Sequence, residues 1–289
     1  MSTPVAVPWR LGATSYVVEA GLVENARYLA GRVTEMQLVL FDLPGGPGNL
    51  PTQAEVAALA EIGRTTGLGY TLHLLADIGA PGLDEGAHAA LAWAHLLLAR
   101  TRPLRPSAVV LHLDGRAVRS GRVTYERWSA ALMPVLRQVG VWAGGMAYLA
   151  LENLEGYPAG FVVEAAAHSG ARRCVDVGHL WRDGVDPLPW LAQAGDALSV
   201  VHLHGVRDDV REDGAPRTDH VALDAAPAAC LDAVIAHLLA RRYAGVLTLE
   251  VFGQADFDAS LAALRASVAR VQAARVAGTR GSGDVWASN

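Results

Sequence analysis

Short apolar runs alternate with amphipathic segments along nearly the whole chain. Several apolar runs are continuous rather than alternating, which is typical of parallel strands that helices cover on the outside. Helices are predicted between these runs, over residues 22–30, 52–66, 85–100, 125–139, 161–169, 187–193, 227–241 and 256–274. The strands themselves are predicted over residues 11–16, 36–42, 70–75, 108–113, 146–153, 173–179, 198–204 and 246–252.

Signals at the helix ends support this division. Thr52 and Glu55 have the spacing of a capping box at the start of the second helix. Gly67, Gly140 and Gly170 stand where helices are expected to end, or shortly after. Strands and helices that repeat in this order predict an α/β protein with the closed (β/α)8 architecture of a TIM barrel. An open, doubly wound sheet is the alternative, but no glycine-rich dinucleotide loop follows the first strand.

The length and composition fit one such barrel. The chain has 289 residues, of which 52% are hydrophobic and 18% are charged. A barrel takes roughly 250 residues, so we assign residues 1–275 to a single barrel domain. Residues 276–289 are mostly small and polar and are predicted to form a disordered tail. The net charge of −5 argues against electrostatic binding to nucleic acid.

The cysteine content, the first ten residues and the length of the apolar runs indicate where in the cell the protein resides. Cys174 and Cys230 are too few for a disulfide framework or a CxxC metal motif, which is typical of a reducing cytoplasm. The first ten residues lack the basic and apolar regions of a signal peptide. No apolar run reaches the ~20 residues that span a bilayer. We therefore expect a cytoplasmic protein without a membrane partner.

Ionisable side chains interrupt or close most of the predicted strands near their carboxyl ends. Those ends meet at one mouth of a parallel barrel, so residues distant in sequence converge there. Six of the 10 histidines lie at strand ends or in the following loops, and the other four lie in predicted helices. One histidine at a strand end is more often a hydrogen-bonded structural residue than a ligand, but so many together favour ligands. The converging group is His73, His112, Glu152, Asp176, His179, His202, His204, His220 and Glu250.

Isolated carboxylates or imidazoles are costly to bury, and a shared divalent metal ion would offset that cost. Mixed histidine and carboxylate ligands suit zinc, manganese or iron. Three neighbouring residues have open interpretations. Asp114 either points into the mouth or caps a loop, and Asn153 either orients Glu152 or binds substrate. Glu155 is expected to be a solvated loop residue.

At these residues the chain resembles the xylose isomerase-like TIM-barrel superfamily. That superfamily includes sugar isomerases, epimerases and the endonuclease IV type of apurinic endonuclease. The resemblance covers nearly the whole barrel and depends on the Glu152-Asn153 pair, the Asp176-Val-Gly-His179 motif, His202 between valine and leucine, and Glu250. It implies a core metal site made of Glu152, Asp176, His202 and Glu250.

The endonuclease IV branch adds histidines and binds three zinc ions. The resemblance implies His73 and His112 as ligands of one ion, with Glu152 bridging, and His179 and His220 as ligands of another. The presence of all four added histidines favours phosphodiester hydrolysis. The chain departs from the branch at Asp219, which directly precedes His220 where the branch has Asp-x-His, and this puts the third metal in question. His204 stands where the branch often has asparagine, so we interpret it as a residue behind the ligands or a substrate contact.

Residues 11–16, 38–42 and 218–223 resemble the cobamide-remodelling phosphodiesterases more narrowly. Those enzymes hydrolyse the nucleotide-loop phosphodiester of cobamides in bacterial corrinoid salvage. The resemblance implies a small-molecule phosphodiester substrate, a cobamide, and two or three divalent ions, with zinc or manganese preferred. Glu152, Glu250 and His179 would be catalytic. The substrate-binding candidates are Asn153, His204, Arg116 and Arg207, with Arg182 and Arg217 in loops at the same mouth.

Three other functions remain as alternatives. A sugar isomerase or epimerase would use a single metal and shuttle a proton between Glu152 and Glu250. An apurinic-site endonuclease would need to grip a duplex and flip a nucleotide, which the acidic balance disfavours. A barrel that only binds a corrinoid or a sugar would have no need of an intact ligand set. The sequence leaves the oligomeric state open.

Overall fold

Eight parallel strands close into a barrel, as the strand pattern predicts. The computed structural model describes residues 7–41, 48–157, 160–207 and 218–281, with side chains to residue 277. The barrel strands are β1 (Arg10–Thr14), β2 (Glu35–Leu40), β3 (Gly69–Ile78), β4 (Val109–Leu113), β5 (Leu149–Glu152), β6 (Arg172–Asp176), β7 (Leu198–Leu203) and β10 (Val246–Leu249). Around the barrel each strand pairs with its neighbour in the order β1-β10-β7-β6-β5-β4-β3-β2. The predicted fold class is therefore confirmed.

Helices cover the outside of the barrel, and each predicted helix is present with its ends shifted by a few residues. The capping box at Thr52 is formed, with Glu55 N–H donating to the Thr52 hydroxyl and Thr52 N–H donating to the Glu55 carboxylate. The described helices are α1 (Leu22–Leu29), α2 (Gln53–Thr66), α3 (Ala87–Thr101), α4 (Arg116–Arg119), α5 (Tyr125–Ala143), α6 (Gly160–Ser169), α7 (Val177–Arg182), α8 (Leu188–Ala194), α9 (Ala228–Ala240) and α10 (Gln254–Gly281).

The last helix passes the domain boundary that the sequence suggested. α10 continues to Gly281, six residues beyond residue 275. Residues 282–289, where the rest of the disordered tail is predicted, lie outside the described residues. No helix in the described part of the chain has the length and apolarity that a membrane span requires.

The end of β6 differs from its prediction, which extended the strand to His179. The strand stops at Asp176, and α7 begins at the next residue. The reason is a helix cap: the Asp176 carboxylate accepts a hydrogen bond from the His179 N–H at 2.7 Å, as an N-cap aspartate does. His179 therefore lies in the first turn of a helix rather than on a strand.

A small hairpin follows β7 and was not predicted. It consists of β8 (Gly205–Arg207) and β9 (Thr218–Val221), paired antiparallel. Arg217 and the rest of the segment between these strands lie outside the described residues. The hairpin carries Asp219 and His220 to the carboxyl-terminal mouth of the barrel, where the residues that end the barrel strands are found.

Small apolar side chains fill the middle of the barrel. Ala108, Val110, Ala150, Cys174 and Val200 form a buried cluster separate from the larger core between strands and helices. Below this layer, at the amino-terminal end, Glu35 is buried and forms an ion pair with Arg10. The polar mouth thus lies above a layer of small apolar side chains.

Candidate metal centre

The predicted donor residues meet at the carboxyl-terminal mouth. They lie at the ends of six barrel strands, β3 to β7 and β10, or in the segments that follow them. The closed barrel thus brings together residues up to 177 positions apart, as in the contact between His73 and Glu250. Most are buried, and His112 and His220 are partly exposed. Their donor atoms fall into three neighbouring groups.

The first donor set joins His73, His112 and Glu152. The His73 Nε2 and His112 Nε2 atoms are 3.1 Å apart, and each lies 3.1 Å from Glu152 Oε2. Donors of a tetrahedral zinc ion with bonds of about 2.0–2.1 Å are separated by about 3.3 Å. The three atoms therefore have the spacing of one metal site.

The second donor set surrounds His202 Nδ1. This atom lies 2.7 Å from Glu152 Oε1, 2.7 Å from Glu250 Oε2 and 3.7 Å from Asp176 Oδ2. Glu152 belongs to both sets because its two oxygens point to different groups of histidines. It is in the position of a bridging carboxylate.

The third donor set contains Asp176, His179, His204 and His220. One donor atom of each lies within 4.8 Å of the others. Asp176 is shared with the second set, as Glu152 is shared between the first two. The three sets therefore form one continuous group across the mouth.

The outer ring nitrogens of two histidines are held by oxygens that are not themselves donor atoms of the sets. His202 Nε2 lies 2.9 Å from Gln37 Oε1, and His73 Nδ1 lies 3.1 Å from Glu250 Oε1. Metal-binding histidines almost always donate their second N–H in this way, which fixes the tautomer and leaves the inner nitrogen with a lone pair. Sequence reasoning missed Gln37, although a glutamine inside the otherwise apolar Met36-Gln37-Leu38 run was a usable signal.

The same arrangement recurs at two further histidines. His179 Nδ1 lies 3.0 Å from the carbonyl oxygen of Asn153, and His112 Nδ1 lies 3.5 Å from Asp77 Oδ1. Asp77 was also missed, because the predicted third strand stopped at residue 75 and nothing in the sequence marks the loop beyond it. β3 continues to Ile78 and brings this carboxylate beside His112.

Orphaned polar atoms support a metal at this place. Asp176 Oδ2, His204 Nε2 and Glu250 Oε2 are buried and make no hydrogen bond of acceptable geometry within the structure. A buried polar atom without a partner costs about 1–3 kcal/mol. Cations held by the neighbouring donor sets would satisfy these atoms, so the residues present fit divalent metal ions.

The electrostatics lead to the same conclusion. Burial would raise the pKa of Glu152, but the charges of His202 and His73 hold it well below its usual value. Burial would lower the pKa of His112, yet hydrogen bonds to Asp77 and Glu152 raise it to about 10. In the metal-free chain the carboxylates are thus balanced by protons on the histidines, and metal ions would replace these protons.

The side chain of Asn153 is used within the barrel. Its Nδ2 donates to the Asp176 carbonyl oxygen at 3.0 Å, and its Oδ1 accepts from the Asp176 N–H at 2.9 Å. These bonds tie the ends of β5 and β6 together and position Asp176 rather than Glu152. This role was not among the sequence-based alternatives.

Of the two interpretations of Asp114, the structure favours the cap. Asp114 accepts hydrogen bonds from the N–H of Arg116 at 3.0 Å and from its Nε at 2.9 Å. The Arg116 side chain is therefore ion-paired at the rim, and Arg207 is exposed on β8. Glu155 is more than a solvated loop residue, because its Oε2 lies 3.5 Å from His179 Nε2 and its Oε1 lies 3.3 Å from Arg182 Nη1.

Replacing Asp77 with asparagine tests whether the outer partner of His112 supports metal binding. We expect metal affinity of the first donor set to fall about 10–100-fold, the range found for such outer partners. Titration with zinc against a competing chelator would measure it. Asp183→Asn is the control, since Asp183 accepts a bond from the Gly156 N–H away from the donor sets. Equal affinities for both variants would contradict the assignment.

A family model described as xylose isomerase-like TIM barrel matches residues 34–270 of the chain. No curated protein matches it. Among solved structures, a xylose isomerase domain protein from Planctomyces limnophilus is similar, with a TM-score of 0.68, 18% identity, and coverage of 92% of this chain and 99% of the other.

Two enzymes of known type also have similar structures. Endonuclease IV from Thermus thermophilus has a TM-score of 0.64 and 22% identity, covering 90% of this chain and 99% of its own. D-psicose 3-epimerase from Clostridium cellulolyticum, solved with D-tagatose, has a TM-score of 0.59 and 15% identity, covering 91% and 98%. At these identities the likeness concerns the fold.

Proposed function

The chain belongs to the family of xylose isomerase-like TIM barrels, and we propose on this basis that it is a metal-dependent phosphodiester hydrolase. The observation that carries the proposal is the double use of Glu152. Its Oε2 faces His73 and His112, and its Oε1 faces His202. A single-metal isomerase needs the second donor set alone, whereas hydrolysis by two ions needs adjoining sets that share a carboxylate.

Two ions held by these donor sets would supply charge that stabilises the phosphoryl oxygens and would lower the pKa of a bound water. Glu152 holds the two donor sets in register. Glu250 is anchored through Oε1, which lies 3.1 Å from His73 Nδ1 and accepts from Gln37 Nε2 at 3.2 Å. Its other oxygen, Oε2, lies in the second donor set, 2.7 Å from His202 Nδ1, and makes no hydrogen bond of acceptable geometry. We assign Glu250 Oε2 as the atom that orients the water and receives its proton.

The leaving oxygen would be stabilised on the other side of the mouth. His179 lies there, and its Nε2 faces the rim while its Nδ1 is held by the Asn153 carbonyl. His179 would donate to the departing oxygen or hold an ion beside it. Arg116 and Arg207 at the rim are candidates for contacts with phosphate oxygens, since guanidinium groups suit them.

For the substrate we propose a cobamide, cleaved at the phosphodiester of its nucleotide loop. The support is the resemblance of residues 11–16, 38–42 and 218–223, although Asp42 lies outside the described residues. The mouth also has an aromatic side that suits a large planar ligand. Tyr16 stacks on Phe41 with ring centroids 6.3 Å apart, and Phe252 beside them is 45% exposed.

A sugar epimerase is the second candidate, because Glu152 and Glu250 approach His202 Nδ1 equally at 2.7 Å. Two carboxylates around one metal position are what a proton shuttle uses. His73 and His112 have no task in that reaction. An apurinic endonuclease is less well supported, because the net charge of −5 does not suit a DNA duplex.

The test is metal analysis followed by incubation with an intact cobamide. Purified protein, reconstituted with zinc or manganese, should hold at least two equivalents of metal. Mass analysis should show that one water has been added and that the nucleotide loop is opened. One equivalent or fewer, together with interconversion of ketoses such as D-psicose and D-fructose, would replace the proposal with the epimerase function.

A further inference from the structure

We propose that His204 is a metal ligand, and that Asp176, His179, His204 and His220 bind one zinc-like ion without Asp219. This inference deepens the proposed function and rests on it for the role of the site, but its test does not depend on hydrolysis. It differs from the interpretation of His204 as a residue behind the ligands. It also gives the site a donor set that the Asp219-His220 spacing would not suggest.

The geometry of the four side chains supports a shared ion. Asp176 lies between the histidines, with Oδ1 3.3 Å from His204 Nε2, and one donor atom of each of the four residues lies within 4.8 Å of the others. The rings of His204 and His220 are stacked with centroids 4.1 Å apart, and His179 lies 5.5 Å from each of them. Three imidazoles and one carboxylate form a ligand set that suits tetrahedral zinc.

The inner nitrogen of His204 lacks a hydrogen bond. His204 is fully buried, and its Nε2 makes no bond of acceptable geometry despite the nearby Asp176 oxygen. Its Nδ1 accepts a hydrogen bond from the His220 N–H at 3.0 Å and lies 3.1 Å from the Gly205 carbonyl oxygen. Nδ1 is therefore engaged by the backbone, and Nε2 is the ring nitrogen that has no partner. A buried polar atom without a partner costs about 1–3 kcal/mol, and an ion at Nε2 would remove that cost.

Gly178 provides the space for the ring. A Cβ atom at this position would lie 2.1–2.4 Å from three atoms of the His204 imidazole. Gly178 is not among the glycines with positive φ, so the backbone alone would accept alanine. The glycine is therefore required by the position of the His204 ring.

Asp219 positions His220 rather than binding the ion. One of its oxygens forms an ion pair with Arg182, and Oδ1 lies 3.3 Å from His220 Nδ1. The carboxylate thus holds the outer nitrogen of His220, as Asp77 holds that of His112. This leaves His220 Nε2 directed towards the mouth, 4.0 Å from Glu250 Oε2. The left-handed backbone at His220, with φ of 52°, helps to place its ring on that of His204.

The experiment compares metal content in His204→Asn, Gly178→Ala and Asp219→Asn with that of wild type. Each protein is loaded with zinc, dialysed and measured by mass spectrometry, and its fold is checked by circular dichroism. We expect His204→Asn and Gly178→Ala each to lose one equivalent, with affinity for it reduced at least about 100-fold. Asp219→Asn, the matched control, should keep the full count with weaker binding.

A second measurement uses the wild-type protein, so it does not depend on whether the variants fold. In wild-type protein labelled with 15N, addition of zinc should shift the His204 Nε2 resonance. An unchanged count in His204→Asn, or a His204 resonance that zinc does not move, would overturn the proposal. If the His204→Asn variant loses one equivalent of zinc as expected but the wild-type protein hydrolyses no phosphodiester, the proposed function fails and the metal site stands.

Discussion

Glu152→Gln is expected to lower phosphodiester hydrolysis on the order of 10³-fold or more while the barrel stays folded. The Glu152 side chain is fully buried, and both of its oxygens face histidine nitrogens, at 2.7 Å for His202 and 3.1 Å for His73 and His112. Glutamine has nearly the same shape but replaces one acceptor with an NH2 donor, and it carries no charge. It therefore cannot join two donor sets.

The matched control for this experiment is Glu35→Gln. Glu35 is also a buried glutamate inside the barrel, but it lies at the amino-terminal end against Arg10. The control is expected to lose stability and to keep the wild-type rate per folded molecule. Initial rates with the cobamide substrate, measured at matched folded fractions, decide the comparison. Equal losses in the two variants would remove Glu152 from the mechanism.

Removal of metal is expected to destabilise the protein strongly, and more so at higher pH. An ion at a thousand times its Kd stabilises the folded state by about 4 kcal/mol for each site. Metal ions must displace protons from His112, whose pKa burial would lower but hydrogen bonds to Asp77 and Glu152 raise to about 10. Metal binding therefore strengthens as pH rises through the neutral range.

The metal-free protein should show the opposite trend. His112 has a raised pKa, so its stabilising contacts are complete below about pH 6.5 and are lost as pH rises towards 10. Glu152 and Glu250 have lowered pKa values, because the charges of neighbouring histidines outweigh burial, so their contribution is lost as pH falls below about 4.5. Thermal unfolding with chelator and with zinc, at about pH 5.5 and about pH 8, should show a larger difference at the higher pH. Equal differences at both values would contradict this reasoning.

The barrel could be predicted because its strands are continuous apolar runs with polar residues at their ends. The donor residues followed from the same pattern, since parallel strands bring their carboxyl ends to one mouth. Segment ends were harder to predict. The Val175-Asp176-Val177 stretch has strand composition, but the Asp176 cap starts a helix there. The hairpin that carries His220 has no sequence pattern of its own.

The partners of the donor residues were beyond prediction. Asp77 meets His112, and Gln37 meets His202, only through tertiary contacts between strands. The same holds for two arginines at the rim: Arg116 pairs with Asp114, and Arg182 pairs with Asp219. Local sequence indicates the charge of a side chain but leaves open which opposite charge the fold places beside it.

The layer of small apolar residues beneath the donor sets limits how ions and substrate can reach the site. Val110, Ala150, Cys174 and Val200 are fully buried in the interior, and the Arg10–Glu35 ion pair lies at the amino-terminal end. We therefore expect ions, water, substrate and products all to enter and leave through the carboxyl-terminal mouth. A substrate bound at the mouth would block dissociation of the ions behind it. Loss of metal should therefore be slower while substrate is bound.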